Sequence, residues 1–388
     1  MNAKGLNALL IALLICFGWS IAWSATFTTL ITTPLAIEGL TGDNSGNLYT
    51  VGRNGAPCPV WKINIANPSL VIVGNIPAPC APLGLAFNAA GDLFVADGNR
   101  ILFLTPNAIT PPTANVYATG VPGTNGVAFD HDGNLWTGDG ATGLGRVWKI
   151  APGGGTCEDA VKPFQGCAEV FRIQPMNNSA SFEGDVPDPG VGRVNSTIQP
   201  GAANNPQNLV ANGLAFNTDG DLFVADTARG ALWQVKFNPG GHLKSDVGCD
   251  ETFHPNTLCL NHIFVADPRL EGADGIALDQ NGNIWVSVNE RNAIAIFGKD
   301  VSAEVFRNPV NRNSGLRNSS ATDDSRILEF PTSPFLLGNL FCTANSDGNR
   351  RDNSPNDGGE VRPAGPSRGK ISCMDQDLTS PGLPLPVQ

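Results

Sequence analysis

Four residues of one chemical kind stand at one kind of place in this chain. Glu38, Asn125, Asn212 and Asp274 each immediately precede a glycine that opens a short apolar stretch: EGL, NGVAF, NGLAF and DGIAL. Two are carboxylates and two are amides, so gathered at one point they present only oxygen ligands and two negative charges. That set suits one hard divalent cation, Ca2+ first, with Mg2+, Mn2+ or Zn2+ as alternatives. A cation held there would polarise a carbonyl or phosphoryl oxygen. Asp274 is the choice for general base or nucleophile, because a carboxylate beside the ion can address water and electrophile together. Asn-Gly and Asp-Gly are also common turn dipeptides. Glu38 resists that simpler reading, since glutamate is a poor turn residue.

The stretches that must position these residues repeat. Gly84–Asp97 (GLAFNAAGDLFVAD), Gly126–Asp139 (GVAFDHDGNLWTGD), Gly213–Asp226 (GLAFNTDGDLFVAD) and Gly275–Val288 (GIALDQNGNIWVSV) each read as strand, Asn/Asp–Gly turn, strand. Gly39–Gly52 (GLTGDNSGNLYTVG) is a weaker copy. Such hairpins cannot bury their apolar faces singly, and for four-stranded units the closed arrangement is a propeller. The opening glycines lie 45, 42, 87 and 62 residues apart. The first two intervals match one bare blade of about 40–50 residues. In the third, Val147–Ile150 and Val170–Ile173 read as outer strands, and residues 174–207 as a surface insertion rich in Asn, Pro, Gly and Ser. Asn238–Cys259 reads as a second insertion. A degenerate sixth unit falls at Pro334–Ala344.

The expectation is an all-β, six-bladed β-propeller of four-stranded antiparallel blades with long disulfide-pinned loop insertions. Its innermost strands line the channel, so the residues before the opening glycines share one mouth: Glu38, Leu83, Asn125, Asn212, Asp274 and a sixth near Ser333. Thr26–Thr33 (TFTTLITT) is expected to complete the last blade and remove its exposed edge. Residues 347–388 are expected to be an irregular tail.

The chain has 388 residues and a formal charge of −11. Met1–Lys4 carries a positive charge, Leu6–Ile21 is apolar, and Ala22-Trp23-Ser24 resembles a cleavage site, so residues 1–24 read as a secretory signal peptide. Residues 25–388 would then be one propeller in the periplasm or outside the cell. Apart from Cys16, the cysteines fall in the order Cys58/Cys80, Cys157/Cys167, Cys249/Cys259 and Cys342/Cys373. Sequential pairing is the simplest of the connectivities open to eight cysteines. No Lys/Arg cluster could neutralise a row of phosphates, so nucleic acid is not an expected partner. Nor is a membrane after signal removal; the expected partner is a small-molecule substrate, and oligomeric state is open.

Glu in IEGL, Asn in TNGVAFDHDGNLWTGD, Asn in ANGLAFNTDGDLFVADT and Asp in ADGIALDQNGNIWVS resemble the four metal-binding segments of the SMP-30/gluconolactonase family, six-bladed calcium-dependent propeller hydrolases. The resemblance covers essentially the whole mature chain. It implies that Glu38, Asn212 and Asp274 bind the metal directly and that Asn125 binds it or holds the substrate. One departure is visible: sugar lactonases of the family carry an arginine two residues before the third-blade Asn, where this chain has Gly123. The implied activity is lactone or ester hydrolysis, with phosphotriesters included. Two other classes are compatible with the repeat: a non-catalytic binding or scaffold propeller with a structural cation, and a streptogramin-lyase-like propeller. The latter calls for seven even blades and a catalytic histidine.

Other motifs carry less. Gly138–Gly143 (GDGATG) matches a dinucleotide pattern but runs into a strand where a helix is needed. Asp130–Gly133 and Asn217–Gly220 lack the glutamate of a calcium loop and read as hairpin turns. Asp97, Asp139 and Asp226 recur at the ends of second strands and read as structural hydrogen-bond acceptors, with Asp226 the one to watch near the mouth.

Overall fold

The computed structural model describes residues 27–140, 142, 144–157, 166–174, 211–270, 272–289, 292–307, 327–346, 368–374, 378 and 380–383. The signal-peptide reading lies outside these residues, as do residues 175–207 of the first insertion. Among the described residues there are six sheets. A first strand, β1 (Phe27–Thr32), precedes blade 1, which holds β2 (Thr41–Gly42), β3 (Asn47–Val51), β4 (Cys58–Asn64) and β5 (Val71–Ile76). Blade 2 holds β6 (Pro82–Phe87), β7 (Leu93–Asp97), β8 (Arg100–Leu104) and β9 (Asn115–Thr119). Blade 3 holds β10 (Thr124–Phe129), β11 (Leu135–Asp139) and β12 (Arg146–Ile150), then, past the short β13 (Gly155–Thr156), β14 (Cys167–Arg172). Blade 4 holds β15 (Leu214–Phe216), β16 (Leu222–Asp226), β17 (Ala231–Val235) and β18 (Ile263–Ala266). Blade 5 holds β19 (Ala273–Leu278), β20 (Ile284–Val288), β21 (Ala293–Phe297) and β22 (Ala303–Arg307). Blade 6 is β23 (Pro331–Leu337), β24 (Leu340–Asn345), β25 (Lys370–Met374) and, as its outer strand, β1. Within each blade the strands run antiparallel, and the inner strands β2, β6, β10, β15, β19 and β23 neighbour one another in a closed ring.

Two details depart from the expectation. Blade 2 gains a fifth strand, because β13, held by the Cys157–Cys167 disulfide, pairs in parallel with β9. The tail is not irregular throughout. Lys370–Met374 lies between β24 and β1, and Cys342 faces Cys373 directly across the β24–β25 pair. All four disulfides follow the sequential pairing.

The second strand of each blade is buried on both faces because a strand directs alternate side chains to opposite sides. Leu135 packs toward blade 2 while Trp136 packs toward blade 4. Repeated around the ring, this yields six apolar clusters, one for each blade interface. Trp136, Trp148 and Trp233 are among the most deeply buried side chains.

The hairpin turns obey a compensation rule. Asp43, Asp130 and Asp279 accept backbone N–H bonds across the turn, and their Oδ2 atoms also accept from Tyr49 Oη (2.8 Å), Trp136 Nε1 (2.9 Å) and Trp285 Nε1 (3.2 Å). In blades 2 and 4 the turn residue is Asn88 or Asn217, and the ring six residues on is Phe94 or Phe223, which has nothing to donate. Burial works to raise the Asp43 carboxyl, but the bonds from Asn47, Tyr49 and the turn amides outweigh it and hold it below its ordinary value. These turns are structural, as expected for DHDG and NTDG.

Candidate metal centre at the channel mouth

The opening residues meet. A Cβ on Gly84 would collide with the Asn125 carbonyl, one on Gly126 with that of Asn212, one on Gly213 with that of Asp274, and one on Gly275 with that of Thr332. Likewise Gly39 abuts the Leu83 carbonyl, and Thr332 Oγ1 donates to the Glu38 carbonyl at 2.6 Å. The circuit Glu38–Leu83–Asn125–Asn212–Asp274–Thr332 is therefore closed, and glycine is required where the strands of blades 1 to 5 back onto their neighbours. The sixth mouth residue, expected near Ser333, is Thr332. Ser333 instead holds the glycine's place in the frame.

A local device turns the side chains at this ring. In blades 2, 3, 5 and 6 the inner strand breaks register where the mouth residue sits, between Pro82 and Leu85, Thr124 and Val127, Ala273 and Ile276, and Pro331 and Ser333. Such bulges redirect a side chain at the end of a strand. The mouth residues are buried nonetheless: Glu38 and Asn125 are 9% exposed, Asp274 6% and Asn212 2%.

Each is met by the residue fourteen positions after the opening glycine. Arg53 Nη1 donates to Glu38 Oε2 at 2.5 Å. Asn212 Nδ2 donates to Thr227 Oγ1 (2.9 Å), whose own hydroxyl proton goes to the Ala273 carbonyl (2.6 Å), tying blade 4 to blade 5. Asn289 Nδ2 donates to Asp274 Oδ2 at 3.1 Å. Gly140 packs against the Asn125 amide, whose side chain makes no hydrogen bond to any described residue. These partners were not singled out from sequence. The signal was available in the same repeat frame, which puts Arg53, Gly140, Thr227 and Asn289 in one register.

The donor set fits a divalent cation. With Nδ2 of Asn212 committed to Thr227, its Oδ1 is the atom left for a ligand. Asn289 fixes the Asp274 carboxylate, and partners of this kind orient metal ligands. Among the described residues no three His, Cys, Asp or Glu gather as ligands, so an ion at this mouth would depend on amide oxygens as well as the two carboxylates.

The recurrent second-strand aspartates are structural. Asp97 pairs with Arg100, Asp139 with Arg146, and fully buried Asp226 with Arg229 and Trp233 Nε1. Burial pushes the Asp139 carboxyl upward, against the opposing pull of Thr142 and Arg146. Asp226 thus belongs to the blade interior.

At the far end of the channel the same strands present apolar residues. Leu85, Phe87, Phe129, Phe216, Leu278 and the tail residue Leu383 line a cavity of about 140 Å3. The tail is hydrogen-bonded there, Gly382 N–H to the Gly338 carbonyl and Leu383 N–H to the Leu278 carbonyl.

Fold and mouth together define a six-bladed propeller with an oxygen-rich ring at one end of its channel. Residues 190–314 match the model of the SMP-30/Gluconolactonase/LRE-like region, in agreement with the sequence resemblance. A search of curated proteins returns no match. Solved structures share the fold at low identity. The calcium-binding protein regucalcin from Agrobacterium tumefaciens strain C58 is 14% identical with a TM-score of 0.56, covering 94% of this chain and 96% of its own. A luciferin-regenerating enzyme is 14% identical with a TM-score of 0.55, at 93% and 98% coverage. The PQQ-bound aldose sugar dehydrogenase from Streptomyces coelicolor is 15% identical with a TM-score of 0.55, at 90% and 98% coverage. One architecture thus carries different chemistries, and function has to be argued from the site.

Proposed function

We propose that this chain is an exported, divalent-cation-dependent hydrolase of lactones or related esters, acting at the oxygen-rich mouth. The observation that carries this reading is the closed ring placing Glu38, Asn125, Asn212 and Asp274 at equivalent positions, with Thr227 and Asn289 fixing two of them. Glu38, Asn212 and Asp274 would hold the cation, with Ca2+ the first choice, and Asn125 would complete the set or hold substrate. When bound, the cation would supply polarisation of the substrate carbonyl. Asp274 would take the proton of a water attacking that carbonyl, its carboxylate held in place by Asn289. The amide of Asn125, buried and without a partner among the described residues, would orient the ester oxygen. The matched family region supports the hydrolase class. The four disulfides fit an oxidising compartment, which supports export. No helix among the described residues is long and apolar enough to cross a membrane.

Purified protein assayed on a panel of lactones, aryl esters and phosphotriesters should show turnover that EDTA abolishes and Ca2+ restores. Asp274→Asn should cut kcat/KM by roughly 100- to 10,000-fold, the usual worth of a general base, with little change in melting temperature. Absence of chelator-sensitive turnover across the panel rejects the hydrolase reading.

One observation favours a second reading. The Arg53–Glu38 pair already supplies a cation to one of the two carboxylates, as a scaffold propeller without catalysis would need. Asp274→Asn separates the two: a hydrolase should lose turnover with only a modest fall in melting temperature, whereas a scaffold has no turnover to lose.

A further inference from the structure

Arg53 is held in a half-used state. Its backbone N–H is anchored to the Ala36 carbonyl (2.8 Å), and its Nη1 is spent on Glu38. Its Nε is buried without a partner, and its Nη2 makes no hydrogen bond to any described residue. The side chain is nonetheless only 17% exposed. A guanidinium offers five donors in a planar fork matched to carboxylate and phosphate oxygens, and here the fork is half-buried with its Nε unsatisfied, which is costly unless a ligand uses it. Around the same mouth, the Asn125 amide also lacks a partner among the described residues, and Ser346 Oγ, in the Arg53 register of blade 6, is buried and unpaired. Arg53 can only donate, the Asn125 amide and the Ser346 hydroxyl can donate as well as accept, and the three stand at one end of the channel. Charge points the same way: with Glu38 and Asp274 balanced by a divalent ion, Arg53 leaves the mouth net positive.

We infer that Arg53 is a specificity residue of this mouth, and that the substrate it selects carries an oxyanion, a carboxylate or phosphate, in addition to the bond that is cut. This rests on the hydrolase reading for the words "bond that is cut", but not for the anion site itself. Glu38 then has two roles, holding the cation with one oxygen and aiming the Arg53 fork with the other.

The test uses full-length protein loaded with Ca2+, and separates binding from turnover. In the binding arm, sodium gluconate and glycerol 3-phosphate are titrated against neutral sorbitol. At least one anion should bind and sorbitol should not; Arg53→Gln should weaken that binding about tenfold or more, with Arg53→Lys in between. In the turnover arm, 4-nitrophenyl hemiglutarate is compared with uncharged 4-nitrophenyl butyrate. Arg53→Gln should raise KM for the first about tenfold, and should affect KM for the second much less. Thermal melts check that the variants fold, and Arg53→Lys keeps charge and bulk if Arg53→Gln does not. The inference is overturned if Arg53→Gln, or Arg53→Lys in its place, binds the anions as the parent does. It is equally overturned if the parent prefers no anion over sorbitol. Arg53-dependent anion binding with neither ester turned over would sustain this site and discard hydrolysis. Turnover of both esters, indifferent to Arg53, would do the reverse.

Discussion

Asp130 shows how single residues specify this fold. Its carboxylate collects two backbone amides, the Asn134 amide and the Trp136 indole N–H, so the turn and the strand that follows are tied by one side chain. Wherever the turn residue is Asn instead, the partner ring is Phe. That pattern makes a quantitative claim. Trp136→Phe should cost about 1–3 kcal/mol through a lost buried hydrogen bond, and Asp130→Asn should cost less in that background than alone. A denaturant double-mutant cycle measures the coupling, expected at about 0.5–3 kcal/mol for residues in direct contact. Additive effects would show that the two positions do not act as a unit. The mouth follows a similar rule, since Arg53, Thr227 and Asn289 each complete a residue read off the sequence. The first set was legible because oxygen-bearing side chains before a glycine are visible in a string. The second was not, because pairing Glu38 with Arg53 needs the hairpin register, and a basic residue after a strand carries no signal of its own.

Strand β25 carries the least sequence signal, yet it joins β1 to β24 and so closes the ring. The earlier blades were legible because each is contiguous and repeats the one before. Blade 6 takes its strands from residues 27–32, 331–345 and 370–374, so no copy of the repeat spans it. β1 was readable from its β-branched run, whereas KISCM, within a polar, proline-rich tail, was not. The Cys342–Cys373 disulfide fastens this patchwork. Replacing both cysteines by alanine should lower stability by about 2–5 kcal/mol. Limited proteolysis should then cut first near Phe27–Thr32, the strand that depends on β25. An unchanged melt with an equally protected N-terminal strand would show that the strand pairing holds without the bond.

At the scale of the molecule, the ring permits no slack. Five of the six inner strands back onto the next through a glycine, so a methyl group at any of the five must displace a neighbouring blade. Gly126→Ala should therefore exceed the roughly 1–3 kcal/mol typical of overpacking, and it should disturb blade 4 as much as blade 3. Circular dichroism melts and hydrogen exchange at Leu214–Phe216 would read both effects. A cost near that of a surface Gly→Ala change would mean that the blades sit further apart than described here. Five blades were legible from their opening glycines, and the sixth only as a degenerate unit at Pro334–Ala344. The loops expected to shape specificity were not, because an insertion without alternation has no pattern to decode.

The pairing of Phe27 with Met374 brings the first and last strands of the ring side by side. A growing polypeptide can stack five blades as they are synthesised, yet its seam cannot zip until residue 374 has emerged. Until that moment β1 and β24 each present a bare, sticky border to whatever is nearby. The nascent protein is thus most in need of shielding until residue 374 is out, and a chaperone that guards it should recognise that unfastened hem.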